Sequence, residues 1–346
     1  MLYRRVRPQS QQFKMDGVPF AFCSHLFDLL PTHRLRVVKE LSGCFGQVAQ
    51  LLFENRIVYV ALVDKGVEIP DRMYYEGNGN DLELTEVVPK HLVRGVTIFL
   101  RDAEGGKVSQ KIVKRYPNAF VAFALLSSSI CPAWFDFALS LKRFGALIIM
   151  EKLDEDALRL FSTRLQCLPQ LSMHSTACEG DTLGLAKTLL CQKQFRYLQI
   201  LNIEQTWDGV PVRELLEFWS ENDGKLRCKS LYFEGNCVGG VKQIEDFMIQ
   251  RTRSITGIHE ALKACSNAES DFIKEKHKRL ILKEPSCVFK FEEETGEGKR
   301  RICMFFDCSH RKTNAEASGQ QWPEVLGGPA DLHLMRGTRT LCVSFE

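Results

Sequence analysis

Apolar residues along this chain follow two rhythms. From Gly17 to about Arg56 they recur every three or four positions. Beyond that, short continuous apolar runs alternate with stretches that are apolar on one side only. The runs are Gly95–Leu100, Ala119–Leu125, Ala146–Met150, Gln170–Met173, Tyr197–Ile203 and Ser230–Phe233. Each has the length of a buried strand. Their centres, near 97, 122, 148, 172, 200 and 231, step by about 25 to 30 residues, the period of a strand-plus-helix solenoid unit. The stretches between them predict helices. Val212, Leu215, Leu216 and Trp219 follow Pro211 at helical spacing, Ala157, Leu158, Phe161 and Leu165 mark another stripe, and Val241, Ile244, Phe247 and Met248 a third. The glycine-bearing stretch from Gly235 to Gly240 reads as a turn before that third helix. A helix with one apolar stripe is not stable alone and must lie on a neighbour. Parallel strands in turn need a crossover, and each gap holds one helix. The predicted fold is α/β: an N-terminal helical module, then a strand–helix repeat sheet of leucine-rich-repeat-like type. An ordinary open α/β sheet fits the same runs.

The C-terminal part changes character. Val288, Phe289 and Phe291, then Ile302, Met304 and Phe306, flank the turn-like segment Glu292–Gly298. They predict a β-hairpin that caps the open edge of the sheet. Arg311 to Gly328 reads as a loop before a last strand at Thr340–Phe345. The expected division is a leader over 1–16, the helical module over 17–56, the strand–helix domain over 57–310, and a loop with a terminal strand over 311–346.

The N-terminal segment predicts helix, turn, helix. Pro19 suits a first helical turn, and Phe22, Leu26, Leu29 and Leu30 stack behind it. Pro31 ends that helix and Thr32 is placed to cap the next. The second helix is expected to bury Leu35, Val38, Leu41 and Phe45. Phe20, Phe22 and Phe27 together exceed one helical face, which suits burial from two sides.

These residues resemble an F-box. Val18-Pro19 stands where that family has Leu-Pro, and Phe22, Leu26 and Phe27 stand at its apolar helix positions. Leu30-Pro31 matches its Leu-Pro turn, Leu35 and Val38 its next apolar pair, and Leu41-Ser42 with Phe45 its Val-Ser and aromatic end. Ala21 and Arg34 depart from the acidic residues usual there. The chain is also similar to nematode F-box-associated proteins, through Leu41-Ser42-Gly43, Phe45-Gly46 and Glu54-Asn55-Arg56, and through Thr295-Gly296 with Lys299-Arg300. The resemblance implies a substrate receptor of a Skp–cullin–F-box type ubiquitin ligase. Its box would contact the Skp-type adaptor through Val18, Pro19, Phe22, Leu26, Phe27, Leu30, Pro31, Leu35, Val38, Leu41, Ser42 and Phe45. Its strand–helix domain would hold a protein substrate. Without a ligase link, the same chain reads as a stand-alone interaction scaffold whose first helices cap the sheet.

Composition narrows the alternatives. The 346 residues allow a large core and carry 46 basic against 43 acidic side chains, a net charge of +3. So even a balance argues against a nucleic-acid binder. The basic clusters at Arg4, Arg5 and Arg7, from Lys274 to Arg279, and from Lys299 to Arg301 read as solvated faces. Met1 to Lys14 lacks the apolar core of a secretory signal, and no apolar run is long enough to span a bilayer. The 13 cysteines are dispersed and odd in number, so reduced thiols in a cytoplasmic or nuclear protein are expected. There is no Gly-x-Ser-x-Gly elbow and no phosphate-binding glycine loop with its lysine. Cys303, Cys308 and His310 come nearest to a metal cluster, but lack a Cys-x-x-Cys pair. Neither catalysis nor a cofactor is expected.

Overall fold

The computed structural model describes residues 19–30, 35, 37–77, 80–82, 88–102, 106–165, 168, 170–203, 207, 209–252, 258–277, 286–295, 298–307 and 329–346. Two helices open the chain, α1 (Phe20–Asp28) and α2 (Gly43–Glu54). Then come β1 (Ile57–Asp64), β2 (Val67–Gly77) and β3 (Asn80–Leu82), an antiparallel meander. From there strands and helices alternate: β4 (Val93–Leu100), α3 (Gly106–Arg115), β5 (Phe120–Leu125), α4 (Pro132–Ser140), β6 (Phe144–Ile149), α5 (Glu155–Arg164), β7 (Gln170–His174), α6 (Gly180–Leu190) and β8 (Tyr197–Asn202). The run continues through α7 (Pro211–Glu221), α8 (Asp223–Leu226), β9 (Ser230–Gly235) and α9 (Val238–Arg251). Last come α10 (Ile258–Ala261), β10 (Lys263–Ala264), α11 (Asn267–Lys276), β11 (Ser286–Thr295), β12 (Gly298–Asp307) and β13 (Thr340–Phe345). The chain is thus mixed α/β, and the six predicted runs are β4 to β9.

All strands join one 13-stranded sheet, ordered β10-β11-β12-β13-β9-β8-β7-β6-β5-β4-β1-β2-β3. β1 and β4 to β9 are parallel, and apart from the β2–β3 meander they follow one another in chain order. Every crossover therefore steps the same way. Because such crossovers are right-handed, successive helices fall on the same face. The register agrees. Ile98, Phe123 and Leu147 stand in one row, Leu171, Leu198 and Leu231 in another, all fully buried. They share one core with Ile112, Phe135, Phe161 and Leu216 from the helices.

The opposite face is smaller and more polar. Ser172 Oγ donates to Gln199 Oε1 at 2.8 Å, and Gln199 Nε2 donates to Glu234 Oε2 at 2.6 Å. At the β9 end this face is covered by α11. Ile273 of that helix packs on Tyr232, Val288, Cys303, Phe305 and Cys342 in a second core. The helix starts with a capping box, Ser266 with Glu269.

Three expectations need correction. The hairpin forms, but its strands run on through Glu292–Glu294 instead of turning there. Glu292, Glu293 and Glu294 stand opposite Arg301, Arg300 and Lys299, and opposite charges across a ladder favour pairing. The hairpin does lie at that end of the sheet, but it does not pair with β9 directly. The 340–345 strand inserts between β9 and β12, antiparallel to both. Its lead-in helical turn, Pro329–Gly337, is pinned by Arg336, whose Nε donates to buried Glu245 Oε1 at 3.0 Å. Finally, Gly239 and Gly240 are not a turn but the first turn of α9. A side chain there would meet Trp207, whose ring lies 2.6 Å from a Cβ built on Gly239. The predicted leader and the 311–328 loop lie outside the described residues.

Candidate docking surface on the N-terminal helices

α1 and α2 build a small core of their own, separate from that of the sheet. Cys23, Phe27, Leu35, Val48 and Ala49 are buried together, with Leu30, Val38, Phe45 and Leu52 packed around them. The rings of Phe27 and Phe45 meet edge to face at 4.5 Å. Cys23 and Phe27 are four residues apart, so both point inward from one side of α1.

The predicted second helix is broken. Residues 39–42 form turns and bends, and a new helix starts at Gly43. The break has two local causes. Gly43 has φ of 80°, a conformation that side chains resist. Gly46 then lets the preceding loop lie directly on α2, since a Cβ there would stand 1.7 Å from the Leu41 carbonyl oxygen. Leu41 is thereby lifted out of the core that its spacing predicted, and is 52% exposed.

The predicted adaptor residues separate into three groups. Val18 and Pro31 lie outside the described residues. Phe27 and Leu35 are buried in the module's core, so they support a surface without forming one. Pro19, Phe22, Leu41 and Ser42 are exposed, while Leu26, Leu30, Val38 and Phe45 are half-buried. Leu29 also reaches solvent, although its spacing suggested packing. Phe22 and Leu29 are seven residues apart with Leu26 between them, which sets all three on one stripe of α1.

This concentration of exposed apolar side chains is unusual in the molecule. Of the twelve large apolar residues exposed among the described ones, five (Phe22, Leu29, Val37, Leu41 and Leu51) lie between positions 22 and 51. Single exposed apolar residues need no explanation, whereas a cluster marks an interaction surface. Lys39 and Arg56 lie over the ring of Phe53 at 4.6 and 4.7 Å, so that face of α2 is polar-capped.

The other candidates carry less. Cys303 is buried in the second core, while Cys308 and His310 lie outside the described residues. Among the described residues no group of three metal-ligating side chains converges, and no helix is long and apolar enough to cross a membrane. The described cysteines, from Cys23 to Cys342, are all free thiols. Comparison with protein-family models, curated proteins and solved structures returns no match.

Proposed function

We propose that this chain is the substrate-recognition subunit of a Skp–cullin–F-box type ubiquitin ligase, working in the cytoplasm or nucleus. Its N-terminal helices would hold the Skp-type adaptor, and its sheet domain a protein substrate. The observation that carries this reading is the exposed apolar cluster on a helical pair that already has its own core. Helix-borne apolar anchors of this kind are what a partner groove takes up. Phe22 alone leaves 58% of its surface free. For a ring residue of roughly 200 Å² that is about 115 Å², or about 3 kcal/mol if fully covered. Association costs reduce the usable share to about half of that.

The test is a titration of the intact chain with purified Skp-type adaptor, beside a variant carrying Phe22→Ser and Leu41→Ser. Saturable binding that falls by about 100-fold in the variant supports the proposal. Binding that the variant retains unchanged removes the exposed cluster from the interface. A folded chain that does not bind at all leaves the stand-alone scaffold.

A further inference from the structure

A cavity of about 460 Å³ opens where the loops leading into β8 and β9 meet the last turn of α11. Parallel pairing sets these loops side by side: Tyr197 stands opposite Ser230, and the Ser230 amide donates to the Arg196 carbonyl at 3.0 Å. The charge around the cavity has one sign. Lys193, Arg196, Arg227, Lys229 and Lys276 line it, and among the described residues no carboxylate does. Lys276 is neutralised by Glu346 at 2.7 Å. Lys193, Arg196 and Arg227 are exposed, and none makes a side-chain hydrogen bond or ion pair with a described residue.

Lys229 is the unusual member. It is 7% exposed, and its ammonium donates to the carbonyls of Gln192 at 2.8 Å and Lys193 at 3.2 Å, and to that of Phe195. Those carbonyls satisfy its protons but bring no countercharge. Burial, with Arg196 nearby, pushes its pKa below the usual lysine value. The loop that carries it is also held tightly. Cys228 sits at φ of 65°, in the left-handed region, and its amide donates to the Phe345 carbonyl at 2.8 Å. Such strain outside glycine persists only where surrounding structure enforces it. His277, also in the lining, buries its Nε2 without a hydrogen-bond partner among the described residues.

Four cations around one cavity, none in an ion pair with a described residue, repel one another, and a bound anion relieves that repulsion. Two guanidinium forks with the Lys193 ammonium match a doubly charged tetrahedral oxyanion better than a single carboxylate, while Lys229, its protons taken by carbonyls, adds only its charge. The cavity exceeds what a bare phosphate fills. The surplus lies against Tyr197 and Tyr232, where a flat apolar group would pack. We infer that this cavity binds a phosphate monoester, with the phosphate held by Arg196, Arg227 and Lys193 and its organic part against the tyrosines. The ester is either a free small molecule or a phosphorylated side chain.

The inference is tested on the full chain by calorimetry at fixed ionic strength. The probes are inorganic phosphate, phenyl phosphate and a phosphotyrosine peptide with alanine and glycine flanks. The same titrations are run on a variant with Arg196→Gln and Arg227→Gln, whose fold is checked by circular dichroism. Cys228 supplies a local reporter, being the exposed thiol among the described cysteines. Its reaction with iodoacetamide, read by peptide mass mapping, should slow at least fivefold when the cavity is filled. Expected is saturable binding of phenyl phosphate, tighter than of inorganic phosphate, weakened at least tenfold in the variant. Peptide binding tighter than phenyl phosphate identifies the protein-borne ester as the source, and equal binding the free one. Absence of saturable binding by every probe, or binding unchanged in the variant with Cys228 unprotected, overturns the inference.

Discussion

Truncating Phe27 to alanine decides whether the N-terminal helices are a separable module or a cap on the sheet. Phe27 is fully buried, and its neighbours belong to the small core of Cys23, Leu35, Val48 and Ala49, none of which is part of the sheet's core. Phe→Ala in a core costs about 3 to 5 kcal/mol. About 0.5 to 1.5 kcal/mol of that is the edge-to-face contact with Phe45. A core of this size supplies no more than about 3 to 5 kcal/mol of net stability, so the substitution should unfold the module by itself. The measurement is native-state hydrogen exchange read by mass spectrometry on the full chain. Peptides covering 20–30 and 43–54 should lose at least 100-fold in protection, while those covering β4 to β9 stay within tenfold of wild type. Equal loss of protection in β1 and β4 would refute the reasoning, because the helices would then be holding the sheet's edge together.

Acidification should weaken the fold through His277. Its pKa is lowered to about 4, by burial first and by Lys276 second, with Glu346 opposing. Since the folded value lies below the ordinary 6.5, the neutral ring's contribution is complete above about pH 6.5 and is lost as pH falls toward 4. At about 1.4 kcal/mol per unit the total is at most about 3.5 kcal/mol. Urea midpoints measured between pH 7 and 4 should therefore fall, and His277→Phe, packed against Phe305 as the tilted imidazole now is at 4.9 Å, should flatten that slope. In α9, Gly239→Ala forces the Trp207 ring to move and should lower stability by about 1 to 3 kcal/mol. Unchanged thermal unfolding in that variant would mean that the ring gives way freely.

Much of the architecture was legible because period and burial coincide. β4 to β9 are short, nearly continuous apolar runs flanked by single-stripe helices, and both patterns survive in the bare sequence. What was not legible depends on contacts between distant segments. β1 and β2 went unanticipated, since Val67–Gly77 mixes Pro70, Asp71 and Arg72 into its strand and owes its place to pairing with Ile57–Asp64. The position of β13 follows from a partner far away in sequence. Within the candidate docking surface, Phe22 and Phe27 look alike as letters, and it takes the Gly43 and Gly46 geometry to bring Leu41 out to solvent. The cationic cavity was hidden for a similar reason. Lys193 with Arg196, and Arg227 with Lys229, are short loop pairs about 30 residues apart that strand pairing brings together, and Lys276 had been counted as part of a solvated face.

The inserted position of β13 also imposes a timetable on synthesis. β9 ends at Gly235 and its partner strand begins at Thr340, so 104 residues separate the two. At about 5 to 20 residues per second, the ribosome delivers them roughly 5 to 20 seconds apart. Throughout that interval the β9 backbone lacks its β13 neighbour on one side. The hairpin of β11 and β12 emerges earlier, yet it joins the sheet only through the late arrival. A nascent chain of this protein is therefore sticky for a defined period, and chaperone occupancy on the ribosome should peak after β9 emerges and drop once residue 345 is out.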